Sequence, residues 1–347
     1  MIYQVRVANS DIAFPCASDE TVLDAAERAG FAIPYSCRKG VCNTCEGGLV
    51  AGEAMLPGIG PVRGRSDAVL MCRAKPRSDL EIQPKRIERR APPVRKVLDA
   101  TVFRLARPAL DVAILNLRFA IGTRAKFKAG QYLQLILPGG ERRNFSMANA
   151  PQANDGVELH IRHIPGGHFS ETVLATVKSG DTLEVELPYG DFFVRDGSPA
   201  PIILLATGTG FAPIKSIVED ALKRGNRRAM RLYWGARKRT DLYLADLPQK
   251  WAGRTSWFSF VPVLSEPDGD WQGRTGLVHQ AIMADYADLS DVEVYACGNP
   301  LMIAAAQDGF IRQRRLPEQH FYCDAFVPSG TAETEQQVIT ANREVSL

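Results

Sequence analysis

The stretch Cys37-Arg-Lys-Gly-Val-Cys42-Asn-Thr-Cys45, together with a more distant Cys72, decides how this sequence is interpreted. Its spacing is C-x4-C-x2-C…C, which is a spacing that ligates a [2Fe-2S] cluster through four thiolates. Gly40 lies inside the first interval and lets the loop wrap, because glycine adopts backbone conformations that other residues avoid. The segment therefore predicts an electron-transfer centre with Cys37, Cys42, Cys45 and Cys72 as its metal ligands.

Four cysteines are also compatible with a zinc site or with buried structural thiols. Zinc knuckles usually combine two C-x2-C pairs, or cysteines with a histidine pair. No histidine occurs in residues 1–159, and three cysteines within nine residues favour the iron–sulfur interpretation. The remaining Cys16, Cys297 and Cys323 are interpreted as free thiols of a reducing compartment.

Length and composition exclude several classes of protein. The chain has 347 residues, 45% hydrophobic and 23% charged, which is ordinary for a globular protein of two or three domains. It has no run of eighteen apolar residues and no signal-peptide pattern, so we expect a cytoplasmic protein that does not enter a membrane. A net charge of +3 gives no reason to expect binding to nucleic acid.

A small domain is predicted over residues 1–84, around the cysteine loop. Residues 2–7 and 11–15 have the pattern of two short strands, and apolar residues then recur at helical spacing from Val22 until Gly30. This order of strand, strand, helix and cysteine loop resembles the β-grasp ferredoxins of plant type. The resemblance implies that the four cysteines of the motif are the cluster ligands.

A basic, proline-rich segment over residues 85–96 follows this domain. It contains few apolar residues and is predicted to be a linker between domains. Its charges indicate a solvated surface, with the docking of an acidic partner as the alternative. At the other end of the chain, residues 331–347 are mostly polar and are expected to form a mobile tail.

Residues 97–198 are predicted to form an antiparallel β-barrel, because short strands recur with glycine or proline between them. The motif Arg143-Asn-Phe145-Ser146 offers a cation, an aromatic ring and a hydroxyl along one strand. It resembles the R-x-[YF]-S motif of the ferredoxin reductase superfamily, whose flavin domain binds FAD. The resemblance places Arg143 at the FAD pyrophosphate, Phe145 against the flavin and Ser146 near flavin N5.

A second motif of the barrel is Pro165-Gly-Gly167-His168-Phe-Ser170, which opens a short predicted helix. Backbone N–H groups at a helix start can hold phosphate groups. The motif resembles the G-x-x-S motif of the same superfamily, which implies that Gly167 and Ser170 close the phosphate cradle. His168 is interpreted as a surface residue of this loop.

Residues 199–330 are predicted to alternate strand and helix in a doubly wound α/β domain. The apolar strand 202–206 leads into the turn Thr207-Gly-Thr-Gly210, and a helix follows near Pro213. Two further strands end at small residues, Gly235 and Gly298. In such a sheet the ligand lies over the carboxyl ends of the strands.

These turns resemble the G-T-G-x-x-P and C-G-x-P sequences that surround the nicotinamide nucleotide in the ferredoxin reductase superfamily. The residues that the resemblance assigns to the nucleotide are Thr207, Gly208, Thr209, Gly210, Pro213, Gly235, Arg237, Asp241, Cys297, Gly298 and Pro300. Near the end, Asp324-Ala-Phe326 resembles an acidic-x-aromatic element that lies against the flavin. Ser146, Cys297 and Phe326 are the residues expected beside the hydride path.

The loop Gly235-Ala-Arg237-Lys-Arg-Thr-Asp241 bears on nucleotide choice. An acid after the second strand favours NADH, whereas cations favour the 2′-phosphate of NADPH. This loop contains both, and related NADH-using reductases often carry the arginine and the aspartate. We therefore expect NADH, with NADPH as the alternative.

The order ferredoxin, flavin barrel and nicotinamide domain resembles the single-chain reductase components of bacterial Rieske-type ring-hydroxylating dioxygenases, of the benzoate and terephthalate type. The resemblance implies an NAD(P)H-dependent iron–sulfur flavoprotein, which passes electrons through FAD and the [2Fe-2S] cluster to a terminal oxygenase in aromatic hydrocarbon catabolism. We expect it to be monomeric. A flavin is needed because it accepts hydride and releases single electrons.

Three alternatives use the same modules. The acceptor is a soluble di-iron monooxygenase in one and a deoxysugar dehydratase of the CDP-6-deoxy-glucoseen type in another. In the third, which is of another class, the chain is a redox sensor that holds its cofactors without steady turnover. The sequence does not identify the aromatic substrate, because this component never contacts it.

Overall fold

The computed structural model describes residues 1–167 and 169–327, so His168 and the predicted tail at 331–347 lie outside the described residues. Within them the chain divides into two compact units, with the division between Val94 and Arg95. This point falls inside the predicted linker 85–96. No helix in the described ranges combines the length and apolar character needed to cross a membrane.

The first unit contains ten strands and one helix. They are β1 (Ile2–Val7), β2 (Ala13–Ala17), α1 (Val22–Arg28), β3 (Phe31–Ala32), β4 (Glu46–Ala51), β5 (Glu53–Leu56), β6 (Gly60–Arg63), β7 (Ser66–Leu70), β8 (Lys75–Pro76), β9 (Leu80–Pro84) and β10 (Glu88–Arg89). The main sheet has the order β2-β1-β9-β4-β7, in which β1 pairs parallel to β9 and the other pairs are antiparallel.

Helix α1 begins where the sequence predicts it and buries one face. Thr21 caps it by accepting a hydrogen bond from the Asp24 N–H, and Val22, Leu23, Ala25 and Ala26 are buried. Full burial of a side chain such as Leu23 contributes about 1.5–3 kcal/mol. The second strand starts at Ala13 rather than at residue 11, because Asn9 adopts a left-handed φ of 57° and the turn extends further.

In the second unit, residues 96–189 form a six-stranded antiparallel sheet in the order β14-β13-β16-β11-β12-β15. Its elements are β11 (Lys96–Ala109), β12 (Val112–Phe119), β13 (Tyr132–Ile136), β14 (Arg142–Ser146), β15 (Gly156–Arg162), a π-helical turn (Phe169–Val173), α2 (Leu174–Thr176) and β16 (Thr182–Tyr189). A bridge between Met147 and Leu159 brings the two outer strands together. The sheet thereby closes into a barrel around buried Leu115, Leu133 and Val185.

The rest of the second unit is a parallel six-stranded sheet in the order β20-β19-β18-β17-β21-β22. Its elements are β17 (Ile202–Thr207), a 3-10 turn (Gly208–Gly210), α3 (Phe211–Arg224), β18 (Met230–Ala236), a 3-10 turn (Arg239–Asp241), α4 (Asp246–Arg254), β19 (Phe258–Leu264), β20 (Arg274–Thr275), α5 (Val278–Asp285), β21 (Glu293–Gly298), α6 (Pro300–Arg314), a 3-10 turn (Glu318–His320) and β22 (Phe321–Ala325). The central strand β17 is almost entirely buried, as expected for a strand with helices on both faces.

Helix α3 begins two residues before Pro213, because the turn Gly208–Gly210 continues directly into it. The ring of Phe211 stacks on Trp234 with centroids 4.1 Å apart. Trp234 in turn donates its indole N–H to the Gly208 carbonyl at 3.2 Å. These contacts fix the start of α3 over the carboxyl ends of β17 and β18.

Candidate functional site

The four cysteines of the motif are buried and lie in two pairs. The Cys37 and Cys42 side chains are hydrogen-bonded to each other, as are those of Cys45 and Cys72. The hydrogen bond with Cys42 and then burial raise the pKa of Cys37 well above its usual value. The hydrogen bond with Cys45 and then burial do the same for the pKa of Cys72. The Cys37 and Cys72 thiols therefore hold their protons more strongly than an exposed cysteine does.

Backbone N–H groups of the loop point at these sulfurs. The Lys39 N–H donates to Cys37 Sγ at 3.3 Å, and the Val41 N–H donates to the same sulfur. The Gly40 N–H donates to Cys72. Gly40 has a left-handed φ of 81°, and a side chain there would approach Arg73. Donors around a sulfur favour its thiolate form, which is the form that binds iron.

Within residues 1–167 and 169–327, no three ligating side chains lie close enough to share one metal ion. The two cysteine pairs fit a centre of two irons with two thiolates on each iron. The residues present therefore suit a [2Fe-2S] cluster, which would be held by Cys37, Cys42, Cys45 and Cys72.

Arg38 fixes the start of the cysteine loop to helix α1. Its guanidinium forms ion pairs with Asp24 and, at 3.0 Å, with Glu27. It also lies over the Tyr35 ring at 4.2 Å from the ring centroid. Because Arg38 itself has a left-handed φ of 53°, these contacts hold the loop in a conformation that a non-glycine residue seldom adopts.

In the second unit, Ser146 and Cys297 converge through a residue that the sequence analysis did not assign to the site. Ser146 is buried at the end of β14 and donates from Oγ to Asp324 Oδ2 at 3.5 Å. Asp324 is the strand partner of Cys297 between β21 and β22. Burial, and then the charge of Asp324, raise the pKa of the Cys297 thiol well above its usual value.

The two predicted flavin motifs are brought together by an aromatic contact. The Phe145 ring lies 4.9 Å from that of Phe169, between centroids. Ser170 is engaged inside its own turn, because its hydroxyl is 3.1 Å from both the N–H and the carbonyl of Ile164. A side chain at Gly167 would lie 2.8 Å from Ser170 Oγ, so this turn requires a glycine. Arg143 is largely buried and pairs with Glu141.

The two predicted nucleotide turns are in direct contact. A Cβ atom on Gly210 would lie 2.2 Å from the Cys297 carbonyl oxygen. A Cβ atom on Gly298, which has a φ of 131°, would lie 2.3 Å from Thr207 Oγ1. The Asn299 N–H also donates to Thr207 Oγ1 at 3.0 Å. Both glycines are therefore required by the close approach of two backbones, and neither position has space for a side chain.

The remaining predicted nucleotide residues lie around these turns. Thr209 is buried in the turn before α3, Pro213 lies in the first turn of α3, and Pro300 is the first residue of α6. Phe326 donates its N–H to the Gly298 carbonyl at 2.8 Å, beside the same turn. Its side chain packs against the core of the nicotinamide domain.

In the loop after β18 the arginines are exposed, whereas the carboxylate is hydrogen-bonded within the loop. Asp241 Oδ2 accepts the Lys238 N–H at 3.0 Å, so the carboxylate caps its own turn. Arg237 and Arg239 are exposed. Gly235 permits the close approach of α5, since a Cβ there would lie 2.8 Å from Val278 Cβ.

A second residue absent from the sequence-based site is Arg162, at the end of β15 in the barrel. A Cβ atom on Gly208 would lie 2.7 Å from Arg162 Nη1, so this cation lies against the turn before α3. Asp111 holds it, with Oδ2 at 2.8 Å from Arg162 Nε. No sequence signal connects Arg162 with Gly208. Asp324, the other site residue that was not assigned from the sequence, does have such a signal, because it is the acid of the acidic-x-aromatic element.

Comparison with known proteins identifies all three modules. Residues 5–77 match the 2Fe-2S iron-sulfur cluster binding domain, residues 105–194 the oxidoreductase FAD-binding domain, and residues 204–308 the oxidoreductase NAD-binding domain. Reductase component 1 of terephthalate 1,2-dioxygenase from Comamonas sp is 41% identical over 335 residues, which cover 95% of this chain and 99% of that protein. The chain belongs to the single-chain iron–sulfur flavoprotein reductases.

Other similar proteins use other acceptors. The CDP-6-deoxy-L-threo-D-glycero-4-hexulose-3-dehydrase reductase of Yersinia pseudotuberculosis is 38% identical, with coverage of 95% of this reductase and 100% of that protein. The crystal structure of an Amycolatopsis cytochrome P450 reductase has a TM-score of 0.73 at 30% identity, and covers 94% of this reductase and 100% of that chain.

These similarities confirm the predicted family, the fold of the three modules and the cofactor classes. This reductase is an oxidoreductase with a [2Fe-2S] domain, a FAD domain and a nicotinamide domain. The roles assigned to individual site residues and the exact domain boundaries stay predictions.

We expect Gly210→Ala to abolish productive nucleotide binding in this reductase, because the new Cβ would collide with the Cys297 carbonyl. The Gly210 φ of −57° suits alanine, so the effect is steric. Overpacking of this kind typically destabilises by about 1–3 kcal/mol. Urea unfolding and the rate of flavin reduction by NADH measure the two effects. Gly253→Ala, at an exposed position of α4 with open space around it, is the control: it should leave the rate unchanged and should not lower the stability. A wild-type rate in Gly210→Ala would contradict the described contact.

Proposed function

We propose that this protein transfers electrons from NADH through FAD and a [2Fe-2S] cluster to the Rieske-type terminal oxygenase of an aromatic-ring dioxygenase. The observation that carries the proposal is the identity of 41% with the terephthalate 1,2-dioxygenase reductase over nearly the full length of both chains. FAD supplies the step between a two-electron hydride donor and a one-electron acceptor. The chain's own residues bind and orient the reactants.

The nicotinamide end of the path is assigned to the turns at Thr207–Gly210 and Cys297–Gly298. Because their backbones touch, they offer adjacent N–H groups over the carboxyl ends of β17 and β21. Arg162 adds a cation beside Gly208, where we place the nucleotide pyrophosphate. Cys297 is a neutral thiol there, so it packs against the nicotinamide ring without adding charge.

The flavin end of the path is assigned to Ser146, with Asp324 behind it. The Ser146 hydroxyl donates to Asp324, and the pair holds a proton next to the position proposed for flavin N5. Phe145 and Phe169 provide an apolar wall that excludes water. Arg143 is proposed to leave Glu141 for the FAD pyrophosphate, because a guanidinium binds phosphate oxygens in bidentate fashion.

A second candidate acceptor is a dehydratase of a CDP-linked deoxysugar. The Yersinia reductase of such an enzyme is 38% identical to this chain, and the match covers 95% of this chain and 100% of that protein. The electron path inside the reductase is the same in both proposals. They differ in the protein that must accept electrons from the cluster, so only reconstitution with each acceptor separates them.

Cys42→Ala should lose the visible absorption of the cluster and the NADH-dependent reduction of cytochrome c and of a Rieske oxygenase. NADH oxidation with ferricyanide should remain, because this oxidant takes electrons directly from flavin. A fragment from Val94 onwards should likewise lack cytochrome c reduction and keep NADH oxidation with ferricyanide, since it contains the second compact unit. Cys16→Ala, at another buried free thiol of the first unit, is the control and should keep the cluster.

Full cytochrome c reduction by Cys42→Ala would show that the cluster is not the exit. Wild-type protein that reduces a Rieske oxygenase poorly and the CDP-deoxysugar dehydratase rapidly would favour the second candidate. Wild-type protein that stalls after one reduction of its cofactors, with every acceptor, would favour the sensor.

Ser146→Ala should slow flavin reduction at least tenfold with little loss of FAD, because the hydroxyl acts on the geometry of hydride transfer. Arg143→Ala should instead weaken FAD binding, because it removes a phosphate ligand. Arg142→Ala on the same strand is the control, since Arg142 pairs with Glu186 on the barrel. FAD content and stopped-flow rates are measured for all three. Equal effects of Ser146→Ala and Arg143→Ala on both quantities would contradict the assignment.

We propose that NADH is preferred over NADPH, because related NADH-using reductases often carry both the arginine and the aspartate of this loop. The capped Asp241 and the exposed Arg237 weaken this preference. Arg237→Ala should therefore lower kcat/KM for NADPH several-fold and leave kcat/KM for NADH unchanged, because only NADPH carries the 2′-phosphate. A tenfold preference of the wild type for NADPH would overturn the proposal of NADH.

A further inference from the structure

Lys215 on α3 is a buried cation that ties the nicotinamide domain to the flavin barrel. Its Nζ lies 3.1 Å from Glu158 Oε1 on β15 and 3.2 Å from the Ala148 carbonyl, both of the barrel. It also lies 3.0 Å from Glu219 Oε1, one turn further along α3 itself. Ser216, the next residue, donates from Oγ to the Asn149 carbonyl at 2.7 Å.

The same carboxylate continues into a second contact between the domains. Glu158 Oε1 is 3.0 Å from His160 Nε2, and His160 Nδ1 is 2.7 Å from the hydroxyl of Tyr243 in the nicotinamide domain. Lys215, His160 and Tyr243 are all buried, with 8%, 5% and 7% of their surface exposed. The chain Lys215–Glu158–His160–Tyr243 therefore joins the barrel to two separate points of the nicotinamide domain.

The protonation states of Glu158, His160 and Tyr243 in this hydrogen-bonded series follow from their surroundings. Burial lowers the pKa of His160, so the ring is neutral. Burial alone would raise the pKa of Glu158, but the hydrogen bond from His160 and the charge of Lys215 lower it to about 2. Burial raises the pKa of Tyr243, so its hydroxyl keeps its proton. His160 thus donates from Nε2 to Glu158 and accepts at Nδ1 from Tyr243, and every donor has an acceptor.

The position of Lys215 connects the two halves of the proposed hydride path. It lies about one helical turn after Phe211, the first residue of α3, which directly follows Gly210 of the nucleotide turn, and a helix transmits position rigidly over such a distance. Its backbone partner Ala148 lies two residues after Ser146. The contacts of Lys215 with Glu158 and with the Ala148 carbonyl form a clamp between the two domains. This clamp links the nucleotide turn to the Ser146 segment through only a few intervening residues on either side.

We propose that Lys215 is a positioning residue for hydride transfer, which sets the separation between the nucleotide turn and Ser146 by binding Glu158 and the Ala148 carbonyl. The inference rests on the proposed placement of the flavin at Ser146. Hydride transfer needs reacting atoms about 3–3.5 Å apart, and a misplacement of about 1 Å can lower the rate about a hundredfold. Glu219 has no part in this role, because it belongs to the same helix as Lys215.

The test uses the full-length protein loaded with FAD and cluster. Lys215→Met keeps the length of the side chain and removes the charge. We expect flavin reduction at saturating NADH to slow by about tenfold to a hundredfold, with a larger primary deuterium isotope effect from NADH deuterated at the transferred position. FAD content and the affinity for NAD⁺ should stay within about twofold, since Lys215 contacts neither proposed binding site. Lys223→Met is the matched control, because Lys223 is exposed on the same helix.

Two carboxylate variants separate the contact between domains from the contact within α3. Glu158→Gln and Glu219→Gln each remove one charge at about 3 Å from Lys215 Nζ. We expect Glu158→Gln to slow flavin reduction like Lys215→Met, and Glu219→Gln to stay within about twofold of the wild type. Hydrogen–deuterium exchange of Lys215→Met without nucleotide should show faster exchange at residues 147–150, where protection depends on the clamp and not on turnover.

Wild-type rates in both Lys215→Met and Glu158→Gln would overturn the inference, as would equal slowing by Glu158→Gln and Glu219→Gln. A fall in FAD content that matches the fall in rate would also overturn it, because it would indicate a general structural role. Failure of the wild type itself to reduce its flavin with either nucleotide would overturn the proposed function together with this inference. A normal wild type with an unaffected Lys215→Met overturns the inference alone.

Discussion

The close approach of the Gly210 backbone to the Cys297 carbonyl is the contact on which the proposed nucleotide site of the second unit depends. It leaves no space for a side chain, so β17 and β21 meet at their carboxyl ends with their two turns in contact. Cys297 is thereby held beside its strand partner Asp324, which receives the hydrogen bond of Ser146 from the barrel. One steric constraint in the nicotinamide domain thus determines which residues of that domain face Ser146, the residue proposed to lie near the flavin.

Two ion pairs that are shielded from solvent have different roles in this unit. Arg228 and Glu293 form a pair at 2.7 Å within the nicotinamide domain, with both side chains buried. Lys215, which is buried, and Glu158, whose side chain is partly exposed, instead form a pair between the nicotinamide domain and the barrel. Buried pairs add little net stability over apolar contacts of similar volume. If either partner moves away, however, the remaining buried charge is uncompensated and the protein is strongly destabilised. An ion pair between domains therefore restricts their relative position more than an apolar contact of the same size.

The sequence predicted the parts of the protein that rest on local geometry. The cysteine loop is one such part, because the N–H groups of Lys39, Gly40 and Val41 bind sulfurs of the same motif. The strand-turn-helix at Thr207–Gly210 is another. Asp324 belongs to the acidic-x-aromatic element of the sequence, but its contact with Ser146 spans 178 residues, a separation that no periodicity reports. Asp241 was assigned to the nucleotide, and no spacing in the sequence indicates that its carboxylate also accepts the Lys238 N–H of its own turn.

The protonation state of Cys297 follows from the same nonlocal packing and defines what this cysteine can do. Burial and then the neighbouring Asp324 raise the pKa of its thiol, so the sulfur keeps its proton. A protonated thiol is a weak nucleophile, whereas a small polarisable group packs well against a flat ring. Asp324 also accepts the hydrogen bond of Ser146. Burial and the Asp324 carboxylate together keep the sulfur protonated, and the same carboxylate orients the Ser146 hydroxyl. This arrangement supports the proposed roles of Cys297 and Ser146 in placing a hydride donor and acceptor.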